Sequence, residues 1–110
     1  MPRIRLATGT DGVRYATFCC PGCGYGHGPI IARPAGTTGP TWGWNNDLER
    51  PTFTPSLMVQ TGPMPTVPAG RPDAGKTHVC HSFIRDGQIQ FLSDCTHALA
   101  GQTVDLPEND

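Results

Sequence analysis

The sequence predicts a mainly β fold, a small single domain built as an antiparallel sheet or a sandwich of hairpins, with little helix. The first observation behind this is the run from His78 to Phe91. Two stretches of alternating apolar and polar residues flank Asp86-Gly87, the strongest short-range signal for a two-residue hairpin. The second is a content of 14 glycines and 12 prolines in 110 residues, which disfavours long helices and favours short strands joined by turns. The third is a thin supply of core residues. Hydrophobic residues make up 36% of the chain, against about 45–50% in a typical domain on a count that includes glycine. A chain of this length is one domain, residues 1–110, and its core needs a staple.

The elements follow in order. Arg3-Ile4-Arg5-Leu6 alternates as a half-exposed strand does, and Thr10-Asp11-Gly12 is a turn signal. Val13–Cys19 reads as the returning strand, so residues 3–19 form a hairpin. Tyr25-Gly26-His27-Gly28 reads as a loop, Pro29–Ala32 as a short apolar run, and Arg33–Pro40 as loop again. Of Trp42 and Trp44, one is expected in the core and the other as its cap, the alternative being an exposed aromatic binding surface. Thr52–Gln60 resembles a strand with Pro55 inside it, which implies an edge or a bulge. Residues 62–77, rich in Pro and Gly, predict a long surface loop, mobile or in contact with a partner. Ala98-Leu99-Ala100 suits one helical turn stopped by Gly101, Gln102–Leu106 suits a last strand, and residues 107–110 form a polar tail.

The thiols and imidazoles cluster at particular places in this pattern. Cys20-Pro21-Gly22-Cys23-Gly24 has the composition of a metal knuckle: proline presets the turn, glycines relax it, and backbone N–H groups can point at the thiolates. A redox dithiol would need a helix start after Cys20, and the glycines oppose one. A two-residue turn at Asp86-Gly87 pairs Ile84 with Ile89, Ser82 with Phe91 and Cys80 with Ser93. Ile84, Ile89, Phe91, Cys80 and Cys95 then share one face, while His81, Phe83 and Leu92 share the other. One zinc per chain is therefore expected, held by Cys20 and Cys23 with two of Cys80, His81, Cys95 and His97. Cys80 and Cys95 are the first choice, and a one-residue bulge would substitute His81. His27 reads as a loop residue beside the site, outside the ligand set, and Cys19 as a small buried hydrophobe.

Charge narrows the functional classes. The net charge is −1, with 8 Lys and Arg that form no run, so the basic footprint of a nucleic-acid binder is missing. No apolar stretch approaches the length of about 18 residues needed to span a membrane, and the N-terminus does not read as a signal peptide. The chain is expected in a reducing cytoplasm, where cysteines serve as metal ligands before disulfides.

Several motifs carry a resemblance. Cys20–Gly24, Trp42-Gly43-Trp44-Asn45, Pro51–Ser56, Cys80–Ile84 and Phe91–Gln102 resemble a family of small uncharacterised proteins of tailed bacteriophages and prophages, often labelled ammonia monooxygenase. That label does not suit a chain without a membrane segment. The resemblance implies phage origin, synthesis in the host cytoplasm with a place in the virion open, and an ordered metal site, with no established activity. A more distant similarity, to a bacterial zinc-binding family with a Cys-x-x-Cys and a later Cys-x-x-His-x-x-Ile strand, places His81 among the ligands. The expected function is a zinc-stabilised structural or protein-interaction module whose partner is a phage or host protein, not a small molecule. The alternatives are a zinc-dependent hydrolase, with Asp94, Glu49 or an unused histidine as base and Ser82 or Thr96 to orient it, and a nucleic-acid-binding zinc ribbon.

Overall fold

A computed structural model of the protein describes residues 2–68 and 71–108. Residues 69 and 70 of the long loop and 109 and 110 of the tail lie outside the described residues. The fold is mainly β, as the composition predicts, and no helix occurs among the described residues. β1 (Arg5–Thr8) and β2 (Arg14–Cys19) form the first hairpin, with Leu6 opposite Ala16. β3 (Gly26–His27) and β4 (Ile30–Ala32) both pair with β2, so the loop expected at Tyr25–Gly28 contributes a short strand. β5 (Gly43–Trp44) and β6 (Phe53–Thr54) make a two-stranded sheet. β7 (Leu57–Thr61), β8 (His78–Arg85), β9 (Gln88–Phe91) and β10 (Thr103–Asp105) form an antiparallel sheet in the order β10-β9-β8-β7.

Pro55 divides the strand expected over Thr52–Gln60. Its peptide bond with Thr54 is cis, and the two pieces, β6 and β7, belong to different sheets. A proline has no N–H for a ladder, so the chain changes sheets there, and β7 lies at the edge of its own. Ala98–Ala100 forms a hydrogen-bonded turn in place of a helical one, closed by Gln102 N–H donating to the Leu99 carbonyl at 3.0 Å, with Gly101 at φ 77°. Both tryptophans are half-buried and pack against the core, and Trp44 stacks on Phe53.

The central hairpin keeps the expected register through Ile84–Ile89 and Ser82–Phe91. Asp86 and Gly87 have φ of 54° and 80°, the left-handed pair that a two-residue turn of matching twist requires. Beyond Phe91 the expected Cys80–Ser93 pairing is absent. Leu92 N–H still donates to the His81 carbonyl, but the chain then turns at Ser93-Asp94 and rejoins β8 at Thr96, whose N–H donates to the Val79 carbonyl. Two polar, turn-forming residues are thus looped out of the ladder, and Cys80 sits opposite Val59 of β7 instead.

The core contains Phe18, Phe53, Leu57, Ile84, Ile89 and Phe91 and runs without a break into Cys20, Cys23, Cys80 and Cys95. Cys19 is exposed, contrary to the expectation of burial. Alternation along β2 turns Phe18 and Cys20 inward and leaves Cys19 outside.

Gly87→Ala tests the hairpin. An added Cβ would have a positive φ to tolerate and would stand 3.2 Å from Arg50 Cα and 3.3 Å from the Glu49 carbonyl oxygen. A loss of more than about 1 kcal/mol in denaturant unfolding is expected.

Candidate active site and metal centre

The knuckle forms as its composition suggests. Cys20 N–H donates to the Tyr25 carbonyl, Gly24 N–H to the Cys20 carbonyl, and Cys23 N–H points at Cys20 Sγ at 3.5 Å. Gly24 has φ 82°. Gly22 is required for a different reason: a Cβ there would lie 2.3 Å from the His97 ring.

The knuckle meets β3 and β8 in the core. Cys20, Cys23, His27 and Cys80 are all buried, and their donor atoms lie within 4.8 Å of one another. Cys20 Sγ and Cys80 Sγ are 3.9 Å apart. Two thiolates at about 2.3 Å from a tetrahedral zinc would be separated by nearly that distance. The buried group can hold a metal ion. It includes His27, which the sequence reading left outside: pairing of β3 with β2 folds the loop back, and His27 Nε2 comes 3.2 Å from Cys23 Sγ.

The remaining sequence candidates occupy other positions. Cys95 and His97 form a second buried group with Cys80. His97 Nε2 is buried with no hydrogen-bond partner among the described residues, and burial lowers the pKa of the ring. The Cys95 thiol is raised mainly by burial. It makes a two-way clasp with the His81 backbone, accepting from its N–H and donating to its carbonyl, both at 3.2 Å.

The electrostatics of the thiol cluster suit a cation. Hydrogen bonds with Cys23 and Cys80 hold Cys20 far below the ordinary thiol value. The same sharing with Cys20 pushes Cys23 up to about 12 and raises Cys80 as well. Three thiols sharing one buried space thus oppose one another's ionisation, and a bound cation would offset that repulsion.

An outer layer braces this cluster. His78 Nε2 lies 3.1 Å from Cys23 Sγ, while its Nδ1 lies 2.6 Å from Asp73 Oδ2. A carboxylate behind an imidazole in this way is the usual support of a metal-binding histidine. Arg71 donates to both Asp73 oxygens at 2.9 Å and to the Cys23 carbonyl, and Thr96 Oγ1 donates to Asp73. The surface loop at 62–77 is therefore anchored near its C-terminal end through Arg71 and Asp73, while most of its other described residues are exposed. The Asp73 and Arg71 side chains are only 2% and 3% exposed. Two opposite charges leave water here because each satisfies the other.

His81 stands on the opposite face of β8 from Cys80. Cross-strand pairing sets Met58 opposite His81, so Ser56, two residues earlier, is a diagonal neighbour on the same outer face. Ser56 Oγ lies 3.3 Å from His81 Nε2, and His81 Nδ1 lies 3.1 Å from Asp94 Oδ2. The Ser93-Asp94 turn delivers the carboxylate. The Trp42 indole N–H donates to the Ser56 carbonyl at 3.2 Å and steadies the backbone at the sheet change. With Nδ1–H donating to Asp94, Nε2 is left to accept the serine proton, the arrangement that activates a serine nucleophile. His81 and Asp94 side chains are 24% and 51% exposed, so the group opens to solvent, unlike the thiol cluster. The sequence offered Asp94, Glu49 or an unused histidine as alternative bases, with Ser82 or Thr96 to orient one, and did not point to Ser56. The usable signal was a polar triplet spread over the Pro51–Ser56, Cys80–Ile84 and Phe91–Gln102 motifs.

Two substitutions test the metal centre. Cys20→Ser is expected to lose bound metal and unfold the domain. Structural zinc supplies roughly 10–16 kcal/mol, comparable with the whole stability of a domain, about 5–15 kcal/mol. Elemental analysis and thermal melts check this, and a folded, metal-loaded Cys20→Ser protein would overturn it. Asp73→Asn leaves Arg71 buried without its charge partner, and a loss of about 3–5 kcal/mol is expected. The Asp73 carboxyl is lowered chiefly by Arg71, so its contribution is complete above the ordinary carboxylate pKa of about 3.9 and disappears as pH falls through the lower folded value. Acid unfolding of Asp73→Asn should lack that component.

Among curated proteins and among solved structures, none matches this chain. One family does, over residues 2–92, most of the chain; the matched stretch holds Ser56, His81 and the buried cluster, and stops just before Asp94. Its description speaks of a bacterial system and a protease, where the motif resemblance implied a phage protein without an established activity. By that match the chain belongs to the BubE family, described as the serine protease of a bacterial ubiquitination-like system.

Proposed function

We propose that this protein is a serine peptidase acting in a bacterial ubiquitination-like system, with Ser56 as nucleophile, His81 as general base and Asp94 as the group that orients it. The observation that carries this reading is the Ser56–His81–Asp94 chain of contacts, at 3.3 and 3.1 Å, on the open face of β8. The family description independently supports a serine nucleophile, without naming the residue. The protein partner expected from the sequence becomes a protein substrate.

In this mechanism Ser56 Oγ attacks the carbonyl carbon of the scissile amide as its proton passes to His81 Nε2. The imidazolium is stabilised by Asp94 and returns the proton to the leaving amine as the C–N bond breaks. A water molecule, deprotonated by the same nitrogen, then cleaves the acyl ester and restores Ser56.

The metal in this reading is zinc, one per chain, and its role is to staple the fold. Its four donors come from residues no more than 9% exposed, which suits a closed structural site better than a catalytic one. Cys80 of the cluster is bonded directly to His81, so the staple also anchors the strand that carries the base; Cys95, outside the donor set, clasps the His81 backbone beside Asp94.

Labelling with a fluorophosphonate probe, followed by mass spectrometry, tests the nucleophile. Modification at Ser56 is expected, and Ser56→Ala should abolish it. His81→Ala should slow labelling roughly ten-thousand-fold. Asp94→Asn should slow it less, about a hundredfold to a thousandfold, because that carboxylate is half in water. Labelling at another serine, or undiminished labelling in His81→Ala, would refute the assignment. Stripping the metal should abolish labelling together with native structure, although no group of the catalytic chain is a metal donor.

A further inference from the structure

Next to Ser56 lies an edge strand that has no strand on its outer side among the described residues. β7 pairs with β8 on one side and ends the sheet on the other. Edge strands of soluble proteins are commonly blunted by Lys, Pro or inward charge, yet β7 reads Leu-Met-Val-Gln-Thr with no charge at all. Met58 is 51% exposed on the same face as His81.

An open cavity of about 300 Å³ adjoins this strand, lined by Leu57, Met58 and Val59 together with Ile30, Trp42 and His27 among others. Successive side chains of a strand point to opposite faces. Three consecutive residues can therefore line one cavity only if it runs along the strand's edge, where backbone N–H and C=O groups look outward. Among the described residues no Asp, Glu, Lys or Arg lines it. The volume sits at the lower end of ligand pockets, roughly 300–1,000 Å³, and suits one or two apolar side chains. Trp42 belongs both to the cavity wall and to the support of Ser56, through its bond to the Ser56 carbonyl.

Resting on the assignment of Ser56 as nucleophile, we propose that the substrate binds as an extended peptide added to the free edge of β7, with a large apolar side chain near the scissile bond seated against Trp42, Ile30 and Met58. Main-chain hydrogen bonds to β7 supply affinity, and the pocket supplies selectivity. An unstructured tail or linker can take up the extended conformation that such pairing needs. A second copy of this chain is a poorer occupant, because pairing of two β7 edges would cover the approach to Ser56.

The experiment uses the metal-loaded full chain and a positional-scanning library of internally quenched octapeptides. One position within three residues of the cleaved bond is expected to favour Leu, Met or Phe at least tenfold over Asp or Lys. A backbone N-methyl scan of the best octapeptide should then alternate, with every second methyl group abolishing cleavage, as pairing to one strand edge requires. Met58→Asp, at an exposed position, should lower kcat/KM on that octapeptide at least tenfold more than it slows fluorophosphonate labelling of Ser56. A flat or charge-preferring profile, an N-methyl scan without alternation, or equal losses in both assays would overturn the proposal while leaving Ser56 labelled. So would a stable dimer, by light scattering, that Met58→Asp dissociates with a gain in cleavage. Absence of Ser56 labelling in the native protein would instead mark failure of the assignment on which the proposal rests.

Discussion

β8 turns Cys80 toward the buried thiol cluster and His81 toward solvent, and most of the molecule is arranged around these two neighbouring residues. A strand gives adjacent side chains opposite faces, so one backbone can belong to a buried, thiol-lined interior and a solvent-facing exterior at once. The inward face continues through Ser82 and Ile84 into the apolar core, and the outward face through Phe83 to Arg85. Neither face could move alone. A slip of one residue in β8 would exchange thiol for imidazole throughout.

The same division recurs on the partner segment. Asp94 is half-exposed against His81, whereas Cys95 is buried and clasps the His81 backbone from both sides. Two looped-out residues make this possible: a continued ladder would run past His81 without bringing a carboxylate to its ring. Loops beside a sheet often re-aim side chains at sites in this way. Here the turn is held by the thiol clasp behind it and by Thr96, which closes both onto the Val79 backbone and onto Asp73.

The thin core also explains the depth of the polar network at Asp73. With few large apolar side chains available, the segment covering the knuckle is secured by Arg71, Asp73, His78 and Thr96 instead of by packing. Arg71 adds a contact over the Tyr25 ring at 5.6 Å. A buried ion pair of this kind does not by itself add much stability. Its value lies in geometry, because it fixes where the segment crosses the cluster and how the His78 ring is turned.

Short-range information was legible in the sequence. The Asp86-Gly87 turn, the Ile84–Ile89 register, the first hairpin and the Cys20–Cys23 knuckle each depend on residues within about a dozen positions, where backbone preference and alternation decide the outcome. The two faces of β8 were legible for the same reason. What lay beyond local reach was set by tertiary structure. His27 joined the buried group because β3 folds onto β2, Cys95 was drawn to the His81 backbone by the Ser93-Asp94 turn, and Ser56 met His81 because β7 docks beside β8 across a long intervening loop. The amino-acid sequence by itself determined which residues could ligate, donate or attack. Which of them meet was decided only when strands distant in the chain chose their neighbours, since that choice depends on burying a shared core and no single segment carries it.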